Sequence, residues 1–171
     1  MRVGLDAFPF HLHPEVLGIT IALVGGYFYA LRRLAPRLLP KSERVVTGRQ
    51  IAWFATGITL YVLFEAWPLH DIAEGSLYSV HMVQHLVPTF VVPPALLKGA
   101  PTWLIRYLVK PVLPVLRFLT KPLVALFIFN GALAWLHAPG VVASMLDNAF
   151  FHAMAHAIVV GGAFLMWWPV L

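Results

Sequence analysis

Cysteine is absent from the 171 residues, and charged residues are scarce at 11%. The missing thiols exclude disulfides, thiolate metal sites and cysteine-ligated clusters. Soluble domains carry about 25% charged residues. With 60% hydrophobic residues, a chain this short cannot bury its apolar surface within its own fold. The composition therefore predicts an integral membrane protein, with lipid as the solvent for that surface.

Five apolar runs are long enough to be candidate membrane helices, which need roughly 20 residues each. Continuous runs favour helices over the alternating pattern of a membrane barrel. We therefore predict an all-α, polytopic transmembrane helix bundle that forms a single domain over residues 1–171, with a kink or early helix end at Pro93-Pro94. The five predicted spans are about residues 15–34, 50–67, 77–97, 122–136 and 149–171.

Basic residues lie in two segments between the predicted spans, residues 32–49 and 98–121. The positive-inside rule places both segments in the cytoplasm and the N-terminus outside. Most acidic residues then fall on the outer side. Because the net charge of +5 resides in these loops rather than on one soluble face, nucleic acid is excluded as a partner.

The stretch 102–120 is amphipathic, with apolar residues among cationic ones. It predicts either a helix lying on the inner membrane surface or the first part of the fourth span. The chain stops on the hydrophobic run 168–171 without a cationic flank. That ending is typical of a chain truncated at its C-terminus.

Histidine is the most informative residue type in this sequence. On the predicted topology every histidine lies in an outer loop or the outer half of a span, and ionisable residues inside a membrane point to a functional site. The eight are His11, His13, His70, His81, His85, His137, His152 and His156.

Two histidine pairs have i,i+4 spacing: His81 with His85, and His152 with His156. This spacing places both imidazoles of a pair on one helix face. Two such helices side by side could present four nitrogens to one volume. Imidazole suits copper, zinc, iron and nickel, and the thioether of Met82 suits Cu(I). The alternative is a hydrogen-bonded polar network between helices, with no metal.

Other polar residues on the predicted outer side are candidates for a second shell or a capture site. Each is equally consistent with a solvated loop. They are His11, His13, His70, Asp71, Glu74 and His137. No catalytic set accompanies them: the sequence has no phosphate-binding glycine loop, no nucleophile elbow and no H-E-x-x-H pair. We therefore expect no enzyme.

Several segments in chain order resemble the CtaG-type cytochrome c oxidase assembly factors. SVHMVQH at 79–85, followed by PPALLKGAP at 93–101, resembles that family's H-M-x-Q-H and P-x-L-L-x-x-G-x-P runs. WWP at 167–169 resembles its last matched segment. Further similar segments are HPE at 13–15, YALRR at 29–33, LHAP at 136–139 and HAMAH at 152–156.

The resemblance implies a multi-pass protein of the bacterial plasma membrane that helps to build a haem-copper oxidase and contacts its subunits. It implies His81, Met82, His85, His152 and His156 as candidate copper residues. Family members usually continue for further spans beyond the W-W-P segment, where this chain ends.

The sequence therefore favours a helical bundle that binds copper, as Cu(I), at its outer face and helps to deliver it to the oxidase. One alternative is a membrane cytochrome b whose histidines ligate haem iron. Another is a scaffold subunit that holds no metal. Metal stoichiometry and oligomeric state stay open.

Overall fold

The computed structural model describes residues 13–40, 42–66, 68–70, 72 and 78–171. The described residues are almost all helical and include no strand, which confirms the all-α prediction. Their backbone contacts group into two compact units, Met1–Pro101 and Thr102–Leu171. The prediction of a single domain stays a prediction.

The helices of the first unit are α1 (Pro14–Tyr29), α2 (Ala35–Leu38), α3 (Gly48–Glu65), α4 (Tyr78–Phe90) and α5 (Val92–Gly99). A π-helical turn, Ala30–Leu34, joins α1 to α2 without a break. Those of the second unit are α6 (Thr102–Val109), a 3₁₀ turn at Lys110–Val112, α7 (Leu113–Leu119), α8 (Pro122–Leu136), α9 (Pro139–Asp147) and α10 (Ala149–Trp167).

Three helices of the first unit, α1, α3 and α5, meet around Tyr27. Its ring stacks on Phe54 of α3 at 3.9 Å between centroids, with 9° between the planes. Its hydroxyl donates to the backbone carbonyl of Gly99 in α5 at 3.0 Å. Since Tyr27 is buried, this hydrogen bond satisfies a hydroxyl that would otherwise cost free energy to bury. One side chain thus joins α1, α3 and α5.

The chain runs in opposite directions in α3 and in the α4–α5 segment. Phe54 approaches Gly99, Gly57 approaches Leu96, and His70, just beyond α3, bonds Gln84. Residues later in α3 therefore lie beside residues earlier in the α4–α5 segment. The antiparallel register places Glu65, the last residue of α3, near the level of Thr89.

The predicted third span is interrupted in the structure. Pro88 lies inside α4 and the helix ends at Phe90; α5 starts at Val92, ahead of Pro93 and Pro94. Proline lacks the N–H that an α-helix needs and crowds the preceding turn, which explains a break so close to the predicted kink.

The second unit has an apolar core between α8 and α10. Phe129 and Leu136 of α8 pack with Ala155, Val159 and Ala163 of α10. The three α10 residues recur at intervals of four, so they form one buried stripe. The structure adds α9, a short helix that the sequence analysis did not predict.

The predicted amphipathic segment 102–120 forms α6 and α7, separated by the 3₁₀ turn at Lys110–Val112. Pro111 and Pro114 explain why one continuous helix does not form. This pair of helices lies at 84° to α8. Whether the segment rests on the membrane surface stays a prediction.

Two helical segments among the described residues are long and apolar enough to cross a membrane, Pro14–Leu38 and Phe150–Trp167. A third arises if Thr102–Leu119 and Pro122–Leu136 form one bent span. The helix at the predicted second span, α3, carries Arg49 and Glu65, and the predicted third span is split into shorter helices. The structure thus supports two or three spans; five spans with the N-terminus outside stay a prediction.

Gly99→Ala is expected to destabilise the first unit. A Cβ at this position would lie 2.5 Å from the backbone nitrogen of Phe54 and 2.7 Å from its Cα. Because backbone atoms cannot rotate away, α5 has to move off α3, at a cost of roughly 1–3 kcal/mol. Thermal unfolding of the purified protein in detergent measures the loss.

The matched control is Gly131→Ala on α8, where a Cβ meets no atom within 4 Å. Alanine favours the helix over glycine, so stability should be unchanged or slightly higher. Equal losses in both variants would contradict the close approach of α3 to Gly99.

Candidate functional site

The first histidine pair lies on α4. The Nε2 atoms of His81 and His85 are 2.9 Å apart, and the ring centroids are separated by 4.4 Å with nearly perpendicular planes, 87°. Both side chains are half-buried. The structure thus confirms that i,i+4 spacing brings the two imidazoles together on one helix face.

The second pair has the same arrangement on α10. The Nε2 atoms of His152 and His156 are 3.0 Å apart, with ring centroids at 4.8 Å and planes tilted by 40°. Both histidines are half-buried and lie beside Ala155, a member of the buried stripe of α10 that packs against α8. The packing of that stripe fixes the rotation of α10 and hence the direction of the pair.

The distance between the two Nε2 atoms shows which interaction joins the histidines of each pair. A separation of 2.9–3.0 Å between Nε2 atoms is a hydrogen-bond length, so one protonated nitrogen donates to the lone pair of the other. Two imidazoles on one tetrahedral metal, each about 2.0 Å from it, would lie about 3.3 Å apart. The observed spacing is therefore that of a hydrogen bond and is shorter than the spacing of two imidazoles on one metal.

Each pair supplies two nitrogens within its own unit. Among the described residues, no group of three or more histidine, aspartate or glutamate side chains is placed to hold a metal ion. A site with four imidazoles requires both pairs together. That the pairs share one volume stays a prediction, because His81 and His85 belong to one unit and His152 and His156 to the other.

Met82 follows His81 on α4 and is half-buried. Met154 on α10 is 42% exposed, whereas His152 and His156 beside it are half-buried. At 100° per residue, Met154 lies about 160–200° around the helix from both histidines, and its exposure agrees with that position. A thioether role for Met82 stays a prediction.

A second group of histidines lies where α1 begins and α3 ends. His13 Nδ1 contacts Glu15 Oε1 at 3.2 Å, and the His13 and His70 rings meet edge to face at 4.6 Å. His70 Nδ1 in turn contacts the side-chain amide of Gln84 at 2.5 Å. The structure therefore joins two histidines that the sequence analysis treated separately.

Sequence reasoning missed two buried polar residues of the first unit, Gln84 at 1% exposure and Glu65 at 7%. The sequence contains a signal for each of these two residues. Glu65 interrupts an apolar run, which by itself marks an ionisable residue for attention. Gln84 stands between His81 and His85 within the H-M-x-Q-H run.

His137 has a structural role in the second unit. It follows the last residue of α8, and its Nδ1 donates to the carbonyl oxygen of Leu133 at 2.7 Å, which also accepts the backbone N–H of His137. The residues His11, Asp71 and Glu74 lie outside the described residues, so their predicted roles stay predictions.

Asn148→Ala is expected to destabilise the first turn of α10, which carries His152. The Asn148 side chain accepts a hydrogen bond from the Phe151 N–H at 3.1 Å, and losing such an N-cap costs about 1 kcal/mol. Amide hydrogen exchange should accelerate at Phe151 and His152. Asn148→Asp should keep the protection, since a carboxylate also caps and suits the helix dipole.

Asn130→Ala on α8 is the control for a lost asparagine. The Asn130 side chain donates to the Leu126 carbonyl within the helix, and alanine has the higher helix propensity. Protection of α10 should be unaffected. If Asn148→Ala left exchange at His152 unchanged, the cap would not hold this turn.

Comparison with known proteins agrees with the motifs. The family model described as cytochrome c oxidase caa3 assembly factor (Caa3_CtaG) matches residues 25–171. No match was found among curated proteins or among solved structures. The matched range includes α3 to α10 and both histidine pairs. The chain therefore belongs to the CtaG family of caa3-type cytochrome c oxidase assembly factors.

Proposed function

We propose that this chain binds copper, as Cu(I), through its paired histidines and aids its delivery to cytochrome c oxidase. Membership of the family supports a role in assembling the oxidase. The copper role goes beyond what family membership supports. It rests on one observation, the two i,i+4 pairs whose Nε2 atoms converge to 2.9 and 3.0 Å.

The proposed ligands are His81, His85, His152 and His156, with the Met82 thioether as a soft ligand or exchange partner. Nitrogen and thioether donors suit copper, and Cu(I) in particular accepts sulfur. Since the imidazoles are half-buried rather than sealed inside a core, bound copper stays within reach of a receiving protein. A delivery protein needs such exchangeable ligands.

The proposed setting is the bacterial plasma membrane, crossed by five spans, with the basic loops in the cytoplasm and the histidines outside. The charge distribution supports this orientation. The proposed partners are subunits of the oxidase, and the protein acts as a binding and delivery factor rather than as an enzyme.

The geometry of each pair argues against haem. Axial ligation requires two imidazoles on opposite faces of the macrocycle, with iron between them. Within a pair, the two Nε2 atoms face each other at hydrogen-bond distance on one helix, which leaves no room for a porphyrin. Haem would have to take one histidine from each pair.

Copper analysis of the full chain tests the proposal. The protein is purified in detergent from copper-replete cells under reducing conditions, and its metal content and absorption spectrum are measured. We expect stoichiometric copper without a Soret band. Replacing either pair by alanine should lower copper retention at least tenfold against a Cu(I) chelator, because half of the nitrogen ligands are lost.

His137→Ala is the matched control, since His137 bonds a backbone carbonyl and should not affect copper retention. A Soret band would favour the cytochrome. Absence of any metal would favour the scaffold. If the variant lacking all four paired histidines kept both its copper and its support of oxidase assembly, the proposed role would be wrong.

A further inference from the structure

Two aromatic contacts fix the direction of α1 against α3. Near the start of α1, the His13 ring meets that of His70, which follows α3. Near the end of α1, Tyr27 stacks on Phe54 in the first half of α3, so the two helices are antiparallel. The segment α4–α5 also runs against α3 and ends at Gly99, which bonds Tyr27. The end of α1, the start of α3 and the end of α5 therefore lie on one side of the first unit.

These three helix ends bring cationic side chains together. Arg32 follows Tyr27 by five residues in the chain, and Arg49 lies five residues before Phe54. At 1.5 Å per helical residue, each arginine lies about 8 Å beyond the Tyr27–Phe54 contact, on the side away from the histidines of this unit. Lys98 is the penultimate residue of α5. We name this group the cationic end, and it consists of Arg32, Arg33, Arg49 and Lys98.

The cationic end carries positive charge that no carboxylate of the described residues neutralises. Its four side chains are exposed, and no acidic residue in the described ranges forms an ion pair with them. Two of the cations instead stand over aromatic rings. Lys98 Nζ is 5.4 Å from the ring centroid of Trp53, and Arg32 Cζ is 5.8 Å from that of Phe28. The charge is therefore held against aromatic surface and stays available to an anion.

The surface beside the cationic end is apolar and exposed. The exposed fraction is 52% for Phe28, 49% for Ile51 and 39% for Trp53. Residues 14–31 of α1 span roughly 27 Å at 1.5 Å per residue, close to the thickness of the hydrocarbon core of a bilayer. The arginines that follow thus lie where hydrocarbon meets the headgroups. A ligand at this end touches apolar side chains and cations together, which is the chemistry of an amphiphile with an anionic head.

We propose that the cationic end binds an anionic phospholipid of the surrounding bilayer. The lipid phosphate contacts the guanidinium groups and the Lys98 ammonium, and the acyl chains lie along the exposed faces of α1 and α3. Guanidinium groups match phosphate because their N–H donors form a planar fork, and basic pockets between membrane helices bind anionic headgroups. Arg32 and Arg33 also belong to the π-helical turn, a feature that is frequent at functional sites. The site is independent of the copper role.

Lipid binding to the full chain tests the proposal. The protein is purified in neutral detergent, immobilised and titrated with dioleoylphosphatidylglycerol or with zwitterionic dioleoylphosphatidylcholine, and the retained lipid is extracted and quantified by mass spectrometry. The anionic lipid should bind about tenfold more tightly, because each cation near the bilayer surface adds its attraction. Lys98→Gln with Arg32→Gln should remove this preference by lowering only the affinity for phosphatidylglycerol. Lys98→Arg with Arg32→Lys should keep it.

The matched control is Arg117→Gln with Lys121→Gln in the second unit. Both side chains are exposed, and Lys121 Nζ also stands over a ring, 5.4 Å from the centroid of Phe118. These two cations come from one short segment rather than from three helices. Their loss should leave phosphatidylglycerol binding nearly unchanged. Equal losses in the two double variants would mean that net charge alone attracts the lipid, and the defined site would be wrong.

A competition experiment separates a lipid from other anions. Glycerol 3-phosphate in excess should not displace phosphatidylglycerol, because the acyl chains also contribute to binding. Displacement would make the cationic end a site for a small phosphate and overturn the lipid proposal. The proposal is also wrong if the unaltered chain binds both lipids equally, or if it binds a polyglutamate peptide but no phosphatidylglycerol, since the surface would then suit an acidic protein segment.

Salt dependence covers the case in which the double variant fails to fold. Raising the salt concentration from about 0.1 M to about 1 M shortens the Debye length from about 10 Å to about 3 Å. The affinity of the unaltered chain for phosphatidylglycerol should therefore fall severalfold, whereas phosphatidylcholine binding should stay constant. A preference for the anionic lipid that persists undiminished at the higher salt would overturn the role of the cations.

Discussion

The close approach of α3 to α5 is the constraint on which the first unit depends. At Gly99 there is no space for a Cβ, because the backbone of Phe54 occupies it, and at Gly57 the side chain of Leu96 does so. Glycine at these positions lets two helices approach closely, as is common in membrane proteins. The Tyr27 hydroxyl then bonds Gly99 and joins α1 to the pair. This contact sets the antiparallel register that brings His70 opposite Gln84.

The two units differ in what they bury. The core of the second unit is apolar, formed by residues such as Phe129, Leu136 and Val159. The first unit buries Glu65, Gln84 and Thr89. Buried polar groups cost free energy unless they are bonded, and an ionisable group such as Glu65 is especially costly inside a membrane. Two of these buried polar side chains, Gln84 and Thr89, belong to α4, the helix that carries the H-M-x-Q-H run.

Histidine occurs here in two geometries that have different chemical consequences. Within His81–His85 and His152–His156, the Nε2 atoms face each other at hydrogen-bond distance, so one imidazole donates to the other. His13 and His70 instead use Nδ1 to contact other side chains, which are Glu15 for His13 and Gln84 for His70. The first geometry needs only a helix, whereas the second needs two or three segments correctly packed.

The sequence by itself determined the helical class, the family and the i,i+4 pairs, because composition, motifs and helix periodicity are local properties. It placed α8 at 122–136, as observed, since Pro122 starts this helix and His137 ends it. It did not determine that α4 ends at Phe90, because several nearby prolines could each break the helix. Only the tertiary structure decided that His13 meets His70 and that His70 meets Gln84. These residues are distant in the chain, and their contacts follow from the register set at Gly57 and Gly99.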